Sequence, residues 1–208
     1  MLLLGSSLAS LAGLAAAAAA SKSAPPPEAP PTWPYFLAIA VAALAGGQLV
    51  KGLPDWVGNA LGAAFAFSIL EAVSASSIIP YPIVAGGHAA VTAILFATPP
   101  KTAIDTARAV LGGHVIAAGM ALALAHGLPE AAGFAIKTVI VTLAVGAQKA
   151  AGAVHPPACA LAFMWATSAE TNPYKLIGPL IGCSVLIVCQ QAWVALGKEA
   201  KAEKAKKK

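Results

Sequence analysis

Apolar residues gather into seven runs along this chain, roughly over 35–50, 57–78, 84–98, 106–125, 131–148, 157–168 and 176–196. At a rise of 1.5 Å per residue, a helix needs about 20 residues to cross a hydrocarbon core of about 30 Å. The third and sixth runs fall well short of that length, and each begins at a histidine with glycine or proline beside it. The pattern predicts an all-α fold: a polytopic transmembrane helical bundle of about six to seven segments, two of them short and His-headed.

The unequal lengths form a repeat. Gly-Leu-Pro-Asp at 52–55 followed by Gly58 recurs as Gly-Leu-Pro-Glu at 127–130 followed by Gly133. Further along, His88, Ala93, Phe96 and Arg108 correspond to His155, Ala160, Phe163 and Lys175. The units span about 52–125 and 127–196, and each reads as long helix, short helix, basic residue, long helix. If all seven runs cross, Lys51, Lys101, Arg108, Lys149 and the tail lysines share one side, while Lys22 and Lys175 lie on the other. If the short runs are re-entrant, Lys175 and Lys22 instead join Lys101, Arg108 and Lys149, opposite Lys51 and the tail. The first arrangement follows the positive-inside tendency better and makes the two units inverted, as in many secondary transporters.

Composition supports a membrane setting, since 59% of residues are hydrophobic and 10% charged, with a mean hydropathy of +0.79. A soluble domain carries about a quarter charged residues. The net charge of +5 comes mostly from the last eleven residues, six lysines and two glutamates, so residues 198–208 read as a basic soluble tail and 32–197 as the membrane domain. Without interleaved aromatics the tail does not suggest nucleic acid; anionic lipid headgroups suit it better. Residues 1–31, an alanine-rich apolar stretch and a proline-rich linker, read as a targeting or anchor segment outside the fold. Cys159, Cys183 and Cys189 lie in apolar runs without paired spacing, which indicates neither disulfides nor zinc. No enzyme motif is present and no cofactor is implied.

The chemistry concentrates at Gly152 to Trp165, GAVHPPACALAFMW. Proline suits the first turn of a helix because its missing N–H would have no partner there. His155 is therefore expected to cap a short helix starting at Pro156 and Pro157, with free N–H groups from Ala158 onward. His88, after Gly87, would head the matching helix. Two helix N-termini converging in a membrane, each with an imidazole, would supply donors and partial positive charge to an anion. An imidazole would also allow binding to be coupled to a proton. The plain alternative makes His155 a helix cap. His114, in the fourth run, reads as an interhelical hydrogen-bonding residue, and His126 complements a helix C-terminus. His155, Cys159 and His88 make too thin a set for a metal. Glu71 and Lys149 are a candidate intramembrane ion pair; Lys137 and Gln190 read as interface or packing residues.

At HPPACALAFMWA, GGHAAVTAILFATPP and ARAVLGGHVIAAG the chain resembles the HPP family of multi-pass membrane proteins over roughly 34–196. Members are associated with nitrite transport in plastids and cyanobacteria. The resemblance implies a small-anion transporter and carries over onto His155, Pro156, Pro157, Arg108, Gly112, Gly113 and His114. The chain departs from the family's usual Gly-Ser-Phe-Gly-Ala at Gly86 to Ala90, and from its Gln-Pro-Arg-Asn at Thr106 to Ala109. The expectation is a transporter or channel for a small inorganic anion, nitrite first. The membrane would be a plastid envelope or other organelle membrane in a eukaryote, the inner or plasma membrane in a bacterium. The alternatives are a non-transporting subunit of a membrane complex and a metal-ion or proton carrier. A homo-oligomer or a membrane-complex partner is compatible with the small-residue faces.

Overall fold

The apolar runs become helices because small and aliphatic residues fill them, while proline and capping side chains mark where they start. In the computed structural model the described residues are 32–49, 54–76, 83, 85–98, 101–127, 133–167 and 172–206. The order is α1 (Trp33–Leu49), α2 (Asp55–Ala75), α3 (Ala85–Ala97) and α4 (Ala103–Ala107). A π-helical turn (Arg108–Gly112) then leads into α5 (Gly113–Gly127), followed by α6 (Gly133–Ala150) and α7 (Pro156–Thr167). A 3-10 turn (Pro173–Leu176) precedes α8 (Ile177–Lys206). No strand occurs among the described residues. The helices belong to the unit Trp33–Lys208; the expected targeting segment lies outside the described residues.

The starts have local causes. Pro54 precedes α2 and Asp55 stands in its first turn, where a carboxylate complements the helix dipole. Thr102 caps α4 by accepting from the Asp105 N–H at 3.1 Å. Asn172 does the same for the 3-10 turn through the Tyr174 N–H, with Pro173 next in line.

Among the described residues, three stretches are long and apolar enough to cross a membrane: Asp55–Ala75, Ala103–Leu124 and Pro173–Gly197. The bundle exposes large apolar side chains and buries several polar ones beside its apolar cores. Val139, Leu143, Val145, Phe163, Met164 and Val188 are exposed, whereas His88, His114, Gln148, His155 and Gln190 are buried. An apolar exterior with the polar side chains turned inward is the arrangement a bilayer favours, because ionisable and amide groups are costly against lipid.

Two three-helix cores hold the bundle together. One joins Leu70 of α2, Val91 and Phe96 of α3 and Leu186 of α8. The other joins Ala117 and Ala121 of α5, Ile140 and Ala144 of α6, and Ala162 and Trp165 of α7. Each core thus takes a long and a short helix from one half of the sequence and its third helix from the other half. The exchange interlocks the halves, so neither has a complete core of its own.

The two short helices run in opposite directions. His88 of α3 reaches Pro179 near the start of α8, and Leu95, seven residues on, lies at Gln190. Gln191 reaches the Lys101 carbonyl, so α3 runs parallel to α8 toward the end of the bundle that holds Lys101. The α7 helix starts beside Gly113 and packs along α5, which leads away from that end. Antiparallel short helices are what an inverted pair of units requires.

One detail differs from the sequence expectation. The α3 helix begins at Ala85, so His88 lies within its first turns and does not head it. Gly86 and Gly87 are helical themselves, and the histidine side chain is left to bond α8.

Candidate functional site

The loop between α6 and α7 builds the site. The chain turns at Gly152, whose φ of +64° favours glycine, and the Ala153 N–H donates back to the Gln148 carbonyl at 2.8 Å. Gln148, almost fully buried, spans the gap from α6. Its Nε2 donates to the Gly113 carbonyl at 3.1 Å and its Oε1 accepts from the His155 N–H at 3.0 Å. One side chain thereby ties the His155 loop to the start of α5.

The approach at this point requires glycine. A Cβ on Gly113 would lie 2.7 Å from the His155 Cβ and 2.9 Å from the Ala153 carbonyl oxygen. Across the bundle, a Cβ on Gly182 would overlap the His88 ring. His155 rests on Gly113 and His88 on Gly182, and the residues that follow those glycines, His114 and Cys183, meet each other. The Cys183 Sγ lies 3.7 Å from the His114 Nε2. Both short helices are therefore anchored by a histidine lying against a glycine of a long helix from the other half, His155 through its Cα and Cβ and His88 through its ring.

The roles of the three rings differ. His88 donates from Nε2 to the Pro179 carbonyl at 3.1 Å, a structural tie between α3 and α8. His114 donates from Nδ1 to the Val110 carbonyl of its own π-helical turn at 2.7 Å. The interhelical contact the sequence suggested is the one to Cys183 of α8, while the bond to Val110 stays within its own helix. It leaves His114 Nε2 toward Cys183, and the His114 ring lies 5.3 Å from the ring of His155. His155 is 2% exposed, and its Nε2 is the buried side-chain polar atom left without a partner among the described residues. Such an orphan costs about 1–3 kcal/mol, so this is a group that a water or a ligand would satisfy.

The Pro-Pro pair does something other than expected. The α7 helix starts at Pro156 as the sequence implied. Ala158, however, donates its N–H to the His155 carbonyl at 3.0 Å. Pro156 and Pro157 have no N–H at all, so these three residues offer an anion no free backbone donor. The prolines remove donors here, and the chemistry falls to the imidazole.

One cavity is lined by His155 and a second adjoins that cavity. The inner one, about 110 Å³, is lined by His155, Pro156, Thr98, Thr106, Lys101 and Gln190, with Val154 and Ala109 among the apolar residues of its wall. The outer one, about 460 Å³, is lined by Lys101, Asp105, Arg108 and Lys149 with Ala109, Gly152 and Val154. They share Lys101, Ala109 and Val154. The hydroxyls of the inner wall are already committed: Thr98 donates to Ile94 and Thr106 to Thr102, both at 2.8 Å. The donors left for a ligand are the His155 ring, the Lys101 ammonium and the amide of Gln190. Gln190 accepts from the Gln191 Nε2 at 2.7 Å through its Oε1 and donates one long bond to the Leu95 carbonyl at 3.5 Å, so a second N–H is left to offer.

The expected residues thus divide. His155, Pro156, Arg108 and Lys149 line the two cavities, His114 supports His155, and His88 ties helices together. Gly87 is exposed, with open space where a Cβ would be. Glu71 and Lys149 do not pair: α2 packs on α1, α3 and α8, whereas α6 packs on α5 and α7. Gln190, read from sequence as packing, lines the inner cavity, and Gln148 had no signal beyond being an amide in an apolar run. Lys137 lies 5.9 Å from the centre of the Phe163 ring, a packing role as expected. The side chain of His126 lies outside the described residues. No group of three or more metal-binding side chains occurs among the described residues.

Among the described residues, an all-helical bundle with exposed large apolar side chains, three membrane-length stretches and inward-turned polar groups defines a multi-pass integral membrane protein. The family model "HPP, transmembrane region" matches residues 48–202, and the chain belongs to that family. No curated protein and no solved structure matches it significantly.

Proposed function

We propose that this protein is a transporter or channel for a small monovalent inorganic anion, with nitrite the leading substrate. The observation that carries the reading is the unpartnered Nε2 of His155 beside a cavity that adjoins a basic cleft. Cations in the cleft raise the local anion concentration, and the inner cavity discriminates by size. By this measure a water needs roughly 10–15 Å³, so about 110 Å³ admits a small polyatomic anion with a few waters. One ammonium, one imidazole and one amide stabilise a single negative charge without burying an unpaired one. The protein carries out no covalent chemistry in this reading and works without a cofactor. Its membrane is a plastid or other organelle membrane in a eukaryotic source and the inner or plasma membrane in a bacterial one.

Purified full-length protein in proteoliposomes provides the test. Nitrite should cross faster than into empty vesicles, and other small monovalent anions should compete while sulfate competes poorly. A non-transporting membrane subunit would give flux no different from empty vesicles.

A further inference from the structure

The outer cleft carries more positive charge than a monovalent substrate needs. Lys101 enters it from the loop before α4, Arg108 from the first position of the π-helical turn, and Lys149 from the last turn of α6. None of the three forms an ion pair among the described residues. Asp105, the one carboxylate present, is engaged elsewhere: its Oδ2 accepts from the Thr102 hydroxyl at 2.7 Å, while its N–H donates to the same hydroxyl oxygen. Three cations and one carboxylate leave a formal +2 in the cleft.

Size and position narrow the ligand. The cleft, about 460 Å³, is about four times the volume of the inner cavity at about 110 Å³. A guanidinium fork and two ammonium groups suit an oxyanion with several oxygens and more than one charge. Ile104, on the same short helix as Asp105, is 73% exposed. An exposed apolar side chain next to cations at a bundle end marks the level of lipid headgroups.

We propose that the Lys101–Arg108–Lys149 cleft is a second anion site, adjoining the inner cavity and sharing Lys101 with it, that binds a phosphate-class oxyanion and obstructs the smaller anion's access to His155. Obstruction rests on the transport reading above; binding does not. The phosphate group comes either from an anionic lipid headgroup or from free phosphate.

The test titrates inorganic phosphate calorimetrically into full-length protein at low salt, in nanodiscs of phosphatidylcholine and in nanodiscs containing phosphatidylglycerol. Saturable binding is expected in phosphatidylcholine, weakened by about tenfold or more in Arg108→Gln/Lys149→Gln. His155→Gln should bind phosphate as the wild type does. Loss of the phosphate signal in phosphatidylglycerol assigns the site to a lipid headgroup, and its persistence assigns it to free phosphate. In proteoliposomes, phosphate should slow nitrite flux. Equal affinity in the double variant, with both proteins folded by thermal unfolding, overturns the proposal, as does the absence of binding in phosphatidylcholine. If phosphate binds at these residues but no variant or wild type moves nitrite, the site stands and the transport reading falls. If nitrite moves and bound phosphate leaves its flux unchanged, the obstruction is refuted.

Discussion

The ring of His155 lies 5.3 Å from the ring of His114, tilted by 44°. The contact exists because Gly113 lets the loop before α7 rest directly on α5. His114 is itself fixed by its bond to Val110, so it forms a rigid wall for the ring whose Nε2 has no partner. The position of the candidate ligand group is thus set by backbone proximity.

Gly113→Ala should therefore be costly. Its methyl group meets the His155 Cβ and the Ala153 carbonyl, neither of which is a flexible side-chain end. Overpacking of this kind costs about 1–3 kcal/mol. Gly146→Ala, where nothing lies within 4 Å, should be neutral or stabilising. Thermal unfolding of the two variants in the same detergent distinguishes them: a lower midpoint is expected for Gly113→Ala alone.

Gln148→Ala should strand the buried His155 N–H and remove the side-chain tie to the Gly113 carbonyl, which keeps its place in the helix ladder. A buried donor left unpaired costs about 1–3 kcal/mol. Gln148→Glu should rescue only partly, because a carboxylate can accept from His155 but cannot donate to Gly113. Thermal midpoints should fall in the order wild type, Glu, Ala. Gln191→Ala, at a half-buried position where water can replace its bonds to Gln190 and Lys101, should cost less.

The basic residues should label from defined faces of the membrane. Lys101, Arg108 and Lys149 share one cleft. Lys175 precedes Gln191, which touches Lys101, by 16 positions along the helix, or about 24 Å. In a background lacking the native cysteines, single cysteines at the first three positions should react with an impermeant maleimide from one side, and a cysteine at Lys175 from the other. Labelling of all four from the same side would contradict the antiparallel arrangement of α3 and α7.

Helix existence and extent were legible because apolar runs and prolines are local signals: the run at 157–168 became Pro156–Thr167, and that at 84–98 became Ala85–Ala97. The His-Pro-Pro start was read correctly, but the Ala158 donor was not, since spacing does not reveal that the His155 carbonyl takes it. The Glu71–Lys149 pairing failed because similar depth in two repeats says nothing about which helices touch. The exchange of third helices between halves decides that, and it is a long-range property. Gln148 and Gln190 were missed for a similar reason. An amide in an apolar run looks alike whether it packs, bridges two segments or lines a cavity. The π-helical turn at Arg108–Gly112 had no distinguishing signal beyond the glycine pair that ends it.

The most direct measurement of the central claim is the initial rate of nitrite uptake into proteoliposomes carrying wild-type protein, His155→Gln or His155→Ala at equal folded amounts. Glutamine retains a side-chain donor and should keep part of the flux. Alanine removes the donor and should reduce flux by tenfold or more, about the effect of losing one hydrogen bond to a charged ligand. Wild-type rates in both folded variants would show that His155 only caps α7, and would contradict the assignment of the anion site to it.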